Sequence, residues 1–489
     1  MLMPLLTEYP QLKTIREMAR KKGVAIYIVG GFLRDYLLGQ CKTDFDFAVE
    51  RDALGLARVF ARKIKGAFVL LDEERGCARV ARKEGGQIYT FDFADFRAKT
   101  FKGDLSHRDF TINTLFVDLV SLTGTEEVGD VLRDPGNGLA DLKNQKIRMT
   151  FAKTFEEDPL RMMRAFSLRA NLGFQIEART LTRIKKDKER IRDVSYERIR
   201  DELFKILESS RTGDVLKEMD RAGLLEKIMP QVKVMFHCKQ GGYHHLDVWP
   251  HSLETVVQVD RMLKQPSLLE EKLSHSDVGQ DLHKYLADPL GGNRSRKALI
   301  KLAALVHDIG KPDTRKKEKE RVSFHGHERV GRDIVRCIAK LLKLSTQERH
   351  ALEDMVLWHL RPGYLSDFQQ PSQRAVYRYF RDAKEEAAGI LLLSLADQQA
   401  TRGPLTSEDD QRQHEKICLQ LMQQFFIKRR EKPFQRIISG DDLIKTLKLK
   451  PSPLFGKILG EVEEKQTLGE IKTKREALAL AKKMAQPTR

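Results

Sequence analysis

The chain has 489 residues, too many for a single hydrophobic core, so three or four domains are expected. Its 88 Lys and Arg against 70 Asp and Glu give a net charge of +18, which favours a polyanionic partner, with nucleic acid ahead of a membrane surface. No apolar run is long enough to span a bilayer, neither end carries a lipidation motif, and MLMPLLTEYPQLK lacks the order of a secretory signal. Cys41, Cys77, Cys238, Cys337 and Cys418 show no Cys-x-x-Cys spacing and read as free thiols in a reducing cytoplasm.

In chain order, a short basic helix over Thr14 to Lys22 leads into a β-branched strand, Ile26-Tyr27-Ile28-Val29. That strand ends at Gly30-Gly31, where the backbone can pass close to a phosphate and point free N–H groups at it. Phe32 to Leu38 has helical spacing, so the turn opens a helix, and Arg34 offers a forked cation in the first turn. The next strand is Thr43 to Val49. Its period of two places Asp44 and Asp46 on one face and Phe45 and Phe47 on the other. Two neighbouring carboxylates repel unless a cation lies between them, and a pair of Mg²⁺ ions bridging a triphosphate and an attacking hydroxyl fits that need.

Gly-Gly-x-x-Arg-Asp followed by Asp-x-Asp resembles the head of the polymerase-β-like nucleotidyltransferases. The match is specifically to the bacterial-type (class II) tRNA CCA-adding enzymes and bacterial poly(A) polymerases. The resemblance implies an α+β fold: a mixed-sheet head followed by all-α neck, HD and tail domains.

Further along the head, a helix is read over Asp52 to Lys63, with strands at Phe68–Leu71, Cys77–Val80 and Ile88–Ala94. Asp92 reads either as a third catalytic carboxylate or as a surface aspartate. Only AKTFKG separates Arg97 from Asp104, whereas full CCA-adding relatives carry a longer flexible segment there. The run Arg108-Asp-Phe-Thr-Ile-Asn113 resembles a family motif, with His107 and Thr114 departing from it. The resemblance implies that Arg108 contacts the nucleotide and that Asp109 and Asn113 hold the ribose and local backbone.

In Glu157-Asp158-Pro159-Leu-Arg161-Met-Met-Arg164, Asp158 reads as an N-cap with proline at the first helical position, and Arg161 and Arg164 fall near one face with it. Cytosine and adenine both present an exocyclic amine beside a ring-nitrogen acceptor. A carboxylate and a guanidinium, Asp158 and Arg161, therefore suit CTP and ATP and reject UTP and GTP. In the resembling family Glu-Asp-x-x-Arg has this task, and an arginine usually stands where Ser167 stands here. The basic stretch Arg179 to Arg192 reads as a solvated helix face or as an RNA-backbone track.

Histidines gather further on: His251, the adjacent His307-Asp308, His325, His327 and His359, with Asp397 after them. Imidazole and carboxylate donors suit a divalent transition metal. The arrangement resembles the HD metal phosphohydrolases. It implies His251, His307, Asp308 and Asp397 as ligands of a first metal, and His327 and His359 for a second metal or the phosphate. In related nucleotidyltransferases the domain is associated with removing 2′,3′-cyclic or 2′-phosphates. Lys272 to Arg296 reads as a polar excursion from the helical bundle. The tail reads as two short helices broken by glycines, with a basic, aromatic-containing approach, and resembles a tRNA-binding tail.

The expected domains are a head at 1–150, a neck at 151–240, an HD domain at 241–402 and a tail at 403–489. The expected reaction is template-independent addition of C, A or both to a tRNA 3′ end from CTP and ATP. Mg²⁺ would lie at Asp44 and Asp46, and a transition metal or Mg²⁺ in the HD domain. Gly30, Gly31, Arg34, Arg108, Asp109, Asn113, Asp158, Arg161 and Arg164 would hold the nucleotide. The alternatives are a poly(A) polymerase, a partial enzyme adding CC or A alone, and an RNA-binding HD phosphohydrolase with an inactive head.

Overall fold

The structure is a computed structural model that describes residues 4–40, 43–242, 245–264, 276–292, 294–318, 321–403, 405–431 and 434–486. The chain forms two compact units: Met1–Leu203 with Met219–Ile228, and Phe204–Glu218 with Met229–Arg489.

The first unit is built on a six-stranded sheet: β1 (Ile26–Val29), β2 (Asp44–Val49), β3 (Ala67–Asp72), β4 (Cys77–Glu84), β5 (Gln87–Asp95) and β6 (Phe116–Asp118). The spatial order is β3-β4-β5-β2-β1-β6, with only β2 and β5 parallel. Period-2 alternation buries Phe45 and Phe47 of β2 against Phe91 and Phe93 of β5, with ring centroids 5.1 and 5.0 Å apart. Helices Pro10–Lys22 and Ala53–Ile64 contribute Leu12, Ile15, Leu56 and Phe60 to the same core. Burying each such side chain is worth about 1.5–3 kcal/mol. The first helix starts earlier than its basic stretch suggests, because Pro10 supplies the fixed φ of a first helical residue.

The short segment after Arg97 is not a loose loop. Phe101–Ser106 is helical, Thr100 caps it by accepting from Gly103 N–H, and the Phe101 ring stacks on Tyr27 at 3.7 Å. Asp104 Oδ1 accepts from Arg97 N–H at 3.1 Å and closes the segment back on itself. Further on, helix Arg161–Leu172 begins two residues later than a cap at Asp158 would place it. The Asp158 backbone is extended, and its Oδ1 accepts from Leu160 N–H, so the carboxylate caps a turn that precedes the helix.

In the second unit, helices Val248–Lys264, Arg296–Val306, His327–Leu341, Thr346–Trp358 and Ala387–Ala400 carry or adjoin the metal-type residues of the HD region. Ala387–Ala400 is buried nearly all round, as an apolar helix at the centre of a bundle must be. The expected excursion over Lys272 to Arg296 is corrected. Within it, Ser276–Ala287 is a helix that buries Val278, Leu282, Tyr285 and Leu286, and the Tyr285 hydroxyl accepts from Gly389 N–H. Its polar residues occupy the outer face of an amphipathic helix; positions 272–275 and 293 lie outside the described residues. Among the described residues of the tail, the helix Glu408–Arg430 is followed by three more, Gly440–Leu447, Pro453–Thr467 and Lys474–Ala485, where two short ones were expected. Gly456 and Gly460 lie inside the middle helix, which Ile458 and Val462 hold against Leu443, Ile471 and Ala477.

Candidate active sites

The first site lies where β1 turns into helix Gly31–Leu37 above β2 and β5. Gly30 has φ +79° and ψ −147°, a region that side-chain-bearing residues avoid, and a Cβ there would lie 2.8 Å from Asp46 Oδ2. The glycine thus lets the turn close over a carboxylate. Asp46 faces Asp92 directly across the parallel β2–β5 pair, and Asp44 faces Thr90. Burial pushes the Asp46 carboxyl up, with Asp92 and Asp44 adding to it against the pull of Arg108 and Arg164. Like charges placed side by side in this way fit a cation between them. Thr90 Oγ1 donates to Asp44, which is exposed and does not line the cleft.

Gly30, Gly31, Asp46 and Asp92 line one side of this cleft, and Arg97, Arg108, Arg161 and Arg164 bring cations to it. Asp109, Asn113 and Asp158 complete the lining. A hydrogen-bonded chain fixes these groups. Arg164 Nη2 lies 2.8 Å from Asp109 Oδ2, Asn113 Nδ2 donates to Asp109 Oδ1 at 2.9 Å, and Phe110 N–H donates to the same oxygen. Burial alone would raise the Asp109 carboxyl, but Arg164, Asn113 and Phe110 N–H outweigh it and hold it at about 2. Arg108 Nε is buried with no hydrogen-bond partner, a donor still available to an anion.

Besides Asp44, two placements differ from expectation. Arg34 does not line the cleft. It is buried, with Nη1 donating to Asn113 Oδ1 at 2.7 Å and its Nε to Asp35 Oδ1 at 2.7 Å, so it positions Asn113 from behind. Ser167, where an arginine was expected by resemblance, is buried and donates to Glu202 Oε2 at 2.5 Å. Arg161 does line the cleft, but its Nη2 already donates to His107 O at 2.6 Å and its Nη1 to Thr154. Asp158 Oδ2 accepts from the half-exposed Arg198 at 2.8 Å.

Sequence reasoning missed Arg97, Arg198 and Arg79. Arg79 of β4 forks onto Asp92, Nε to Oδ1 and Nη2 to Oδ2, both at 2.7 Å. The signal was available: Gly85 and Gly86 both have positive φ, the mark of a two-residue hairpin turn, and the register they set pairs Arg79 with Asp92.

The second site is in the HD region. His251 lies on Val248–Lys264, His307 ends Arg296–Val306, and His327 opens His327–Leu341. His359 ends Thr346–Trp358, and Asp397 lies on Ala387–Ala400. Two donor groups result, His251 with His307 and Asp397, and Asp308 with His327 and His359. The Asp308 carboxylate stands between them: Oδ2 lies 3.2 Å from His307 Nε2, and Oδ1 lies 3.3 Å from His327 Nε2. This refines the expected division, in which Asp308 served the first group alone. His307, His327 and His359 each direct Nδ1 at the carbonyl three residues back, at 2.9, 2.8 and 2.7 Å. A carbonyl only accepts, so Nδ1 carries the proton and Nε2 is left as the ligand atom. His327 Nε2 and His359 Nε2 then face each other at 3.3 Å, a juxtaposition of lone pairs that fits a cation.

Burial lowers His359 to about 3, helped by His327 and His307. Burial would also lower His307, but Asp308 and Asp397 outweigh it and raise it to about 10. A divalent ion held by His307 would take the place of that proton. Lys311 places Nζ 2.6 Å from Asp308 Oδ2.

Three family models match the chain. Residues 26–148 match the Poly A polymerase head domain, 173–236 the probable RNA and SrmB-binding site of polymerase A, and 273–402 the HD domain. The chain is thus a nucleotidyltransferase head joined to an HD domain. It is 31% identical over 94% of its length to the A-adding tRNA nucleotidyltransferase of Deinococcus radiodurans, covering 96% of that protein. It is 27% identical over 92% of its length to the CC-adding tRNA nucleotidyltransferase of Thermus thermophilus, covering 92% of that protein. The chain belongs to the tRNA nucleotidyltransferase family. Its fold is that of the Thermotoga maritima CCA-adding enzyme complexed with tRNA, with a TM-score of 0.60 at 19% identity over 98% of this chain and 95% of that one. Among the described residues no helix is long and apolar enough to cross a membrane.

Proposed function

We propose that the first site extends the 3′ end of tRNA without a template, taking its nucleotides from CTP or ATP. The observation that carries this reading is the cleft itself, where Asp46 and Asp92 stand side by side against the guanidiniums of Arg97, Arg108, Arg161 and Arg164. The RNA 3′-hydroxyl oxygen forms a bond to the α-phosphorus, the α–β bridging P–O bond breaks, and pyrophosphate leaves with the electron pair. The hydroxyl proton passes to the carboxylate cluster. Asp44 and Asp46 would hold Mg²⁺, which when bound would neutralise charge on the phosphates and ease loss of the hydroxyl proton. Arg108 and the Gly30-Gly31 turn hold the triphosphate. The Asp109–Asn113 network, backed by Arg34 and Arg164, keeps the sugar side rigid. Asp158 and Arg161 read the base, with Asp158 exchanging Arg198 for the exocyclic amine.

The segment between Arg97 and Asp104 favours a partial enzyme, adding CC alone or A alone. A pocket that reads two base sizes needs a moving element, and here a capped helix is tied down by the Phe101 stack and by Asp104. The names of the Deinococcus and Thermus relatives, A-adding and CC-adding, support this reading. The test supplies tRNA ending before CCA, after C and after CC with both CTP and ATP. Arrest after CC, or extension of the CC-ended substrate only, is expected; completion of all three nucleotides overturns the partial-enzyme reading.

For the second site we propose metal-dependent hydrolysis of phosphate esters at RNA ends, 2′,3′-cyclic or 2′-phosphates. Its support is the pair of donor groups joined by Asp308. His251, His307, Asp397 and Asp308 would hold one divalent ion, and Asp308, His327 and His359 a second.

A further inference from the structure

The histidine cluster opens onto a cleft of about 770 Å³, a size suited to a whole organic ligand. A phosphate group alone needs only the end beside His327 and Lys311. The remainder is walled by Phe324, His325, Leu360 and Tyr364. Tyr364 is 57% exposed although aromatic, and Phe368, four residues on, is 64% exposed. Lys311 Nζ sits 5.5 Å over the Phe324 ring, so a cation and an aromatic face adjoin the cluster together. Val322 and Ser323, which also line the cleft, belong to a strand paired with Lys316–Glu318. Lys316 and Lys317 of that second strand and Arg315 just before it are exposed, which suits a polyanion passing the cleft. An aromatic platform, a phosphate-sized end with metal-type ligands and a basic approach are together the means of holding a base, its phosphate and its strand.

Resting on the hydrolase reading of this same site, we propose that the cleft binds the nucleobase of its substrate, with Tyr364 as the stacking surface. Tyr364 acts on binding and is separate from the residues that hold the reacting phosphorus.

The test uses the full chain with Mn²⁺ and compares wild type, Tyr364→Ala and Tyr364→Phe. Calorimetry measures binding of adenosine 2′-phosphate and of ribose 5-phosphate. Nucleotide binding at the first site is common to all three chains, so it cancels in the comparison. Tyr364→Ala is expected to weaken adenosine 2′-phosphate roughly tenfold or more, to leave ribose 5-phosphate unchanged, and to be rescued by Tyr364→Phe. Equal loss for both ligands, or no loss for either, overturns the proposal. Hydrolysis of adenosine 2′,3′-cyclic phosphate and of the base-free methyl riboside 2′,3′-cyclic phosphate is followed alongside. The expected change is in KM for the adenosine ester only, with kcat held. If wild type hydrolyses neither ester with Mn²⁺, Ni²⁺, Co²⁺ or Mg²⁺, the hydrolase reading fails, and the calorimetry still decides the stacking proposal. A short RNA with a terminal 2′-phosphate whose binding depends on Tyr364 more steeply than that of the mononucleotide assigns a strand end; equal dependence assigns a free nucleotide.

Discussion

Gly30→Ala is the sharpest single test of the first site's geometry. Gly30 holds φ +79° and ψ −147°, and an added Cβ would stand 2.8 Å from Asp46 Oδ2. The backbone strain alone costs about 1–3 kcal/mol. A loss of about 2 kcal/mol in a unit of roughly 200 residues lowers Tm by about 4–8 °C. To reach ordinary contact at 3.4 Å, the Asp46 carboxylate must retreat by about 0.6 Å. Displacing a catalytic group by about 1 Å costs on the order of 100-fold, so kcat for nucleotide addition is expected to fall by roughly tenfold or more. Gly31→Ala is the control, because its φ is not positive and its Cβ would meet only the end of the Arg34 side chain, at 3.2 Å. It should leave Tm near wild type and act on the KM for the nucleotide. Incorporation of labelled CTP and ATP into truncated tRNA, with melting followed on the same preparations, reads both effects. A Gly30→Ala chain with wild-type Tm and kcat would refute the claim that this turn is shaped around Asp46.

Three further outcomes follow from the two sites. His307→Ala with Asp308→Ala should abolish metal-dependent hydrolysis of 2′,3′-cyclic phosphates and spare nucleotide addition; retained hydrolysis would remove Asp308 from its place between the donor groups. Asp158→Ala should let UTP and GTP compete with CTP and ATP, since losing a hydrogen bond to a charged group costs about 1.5–3 kcal/mol, a change of roughly ten- to a hundredfold in relative use. Unchanged selectivity would leave Asp158 only its turn-capping bond to Leu160 N–H. Asp109 is held at about 2, below the ordinary 3.8, so its stabilisation is complete above pH 3.8 and is lost as pH falls from there towards 2. It should therefore give about 2 kcal/mol of acid sensitivity in urea unfolding, absent from Asp109→Asn; identical pH profiles for the two chains would contradict the network.

The strands of the head were legible because alternation is a local signal. Phe45, Phe47, Phe91 and Phe93 must share a face wherever the strands end up. The carboxylates followed from the same alternation, but their cationic partners did not, with one exception. Arg79 opposite Asp92 could have been counted from Gly85-Gly86, because a two-residue turn sets the register of the whole hairpin. Arg34 was misplaced because spacing gives the face of a helix and not the direction of a long side chain. The guanidinium turned inward to Asn113, 79 residues away. The helix Ser276–Ala287 was hidden by its polar residues, whose face is settled only by what packs on the other side. In the HD region the residue types singled out the histidines and aspartates that the structure gathers into two donor groups. The position of Asp308 between the two groups was not readable from them, since it depends on how five helices converge. His251 lies before the matched HD segment at 273–402, yet its Nε2 is 2.8 Å from Asp397 Oδ1.

The central claim is that nucleotide addition is performed by the carboxylates of β2. Its direct measurement is the rate of labelled CTP and ATP incorporation into 3′-truncated tRNA by Asp44→Ala with Asp46→Ala, alongside hydrolysis of a 2′,3′-cyclic phosphate by the same preparation. The account predicts addition reduced to background with hydrolysis intact, and unimpaired addition by the double variant would contradict it.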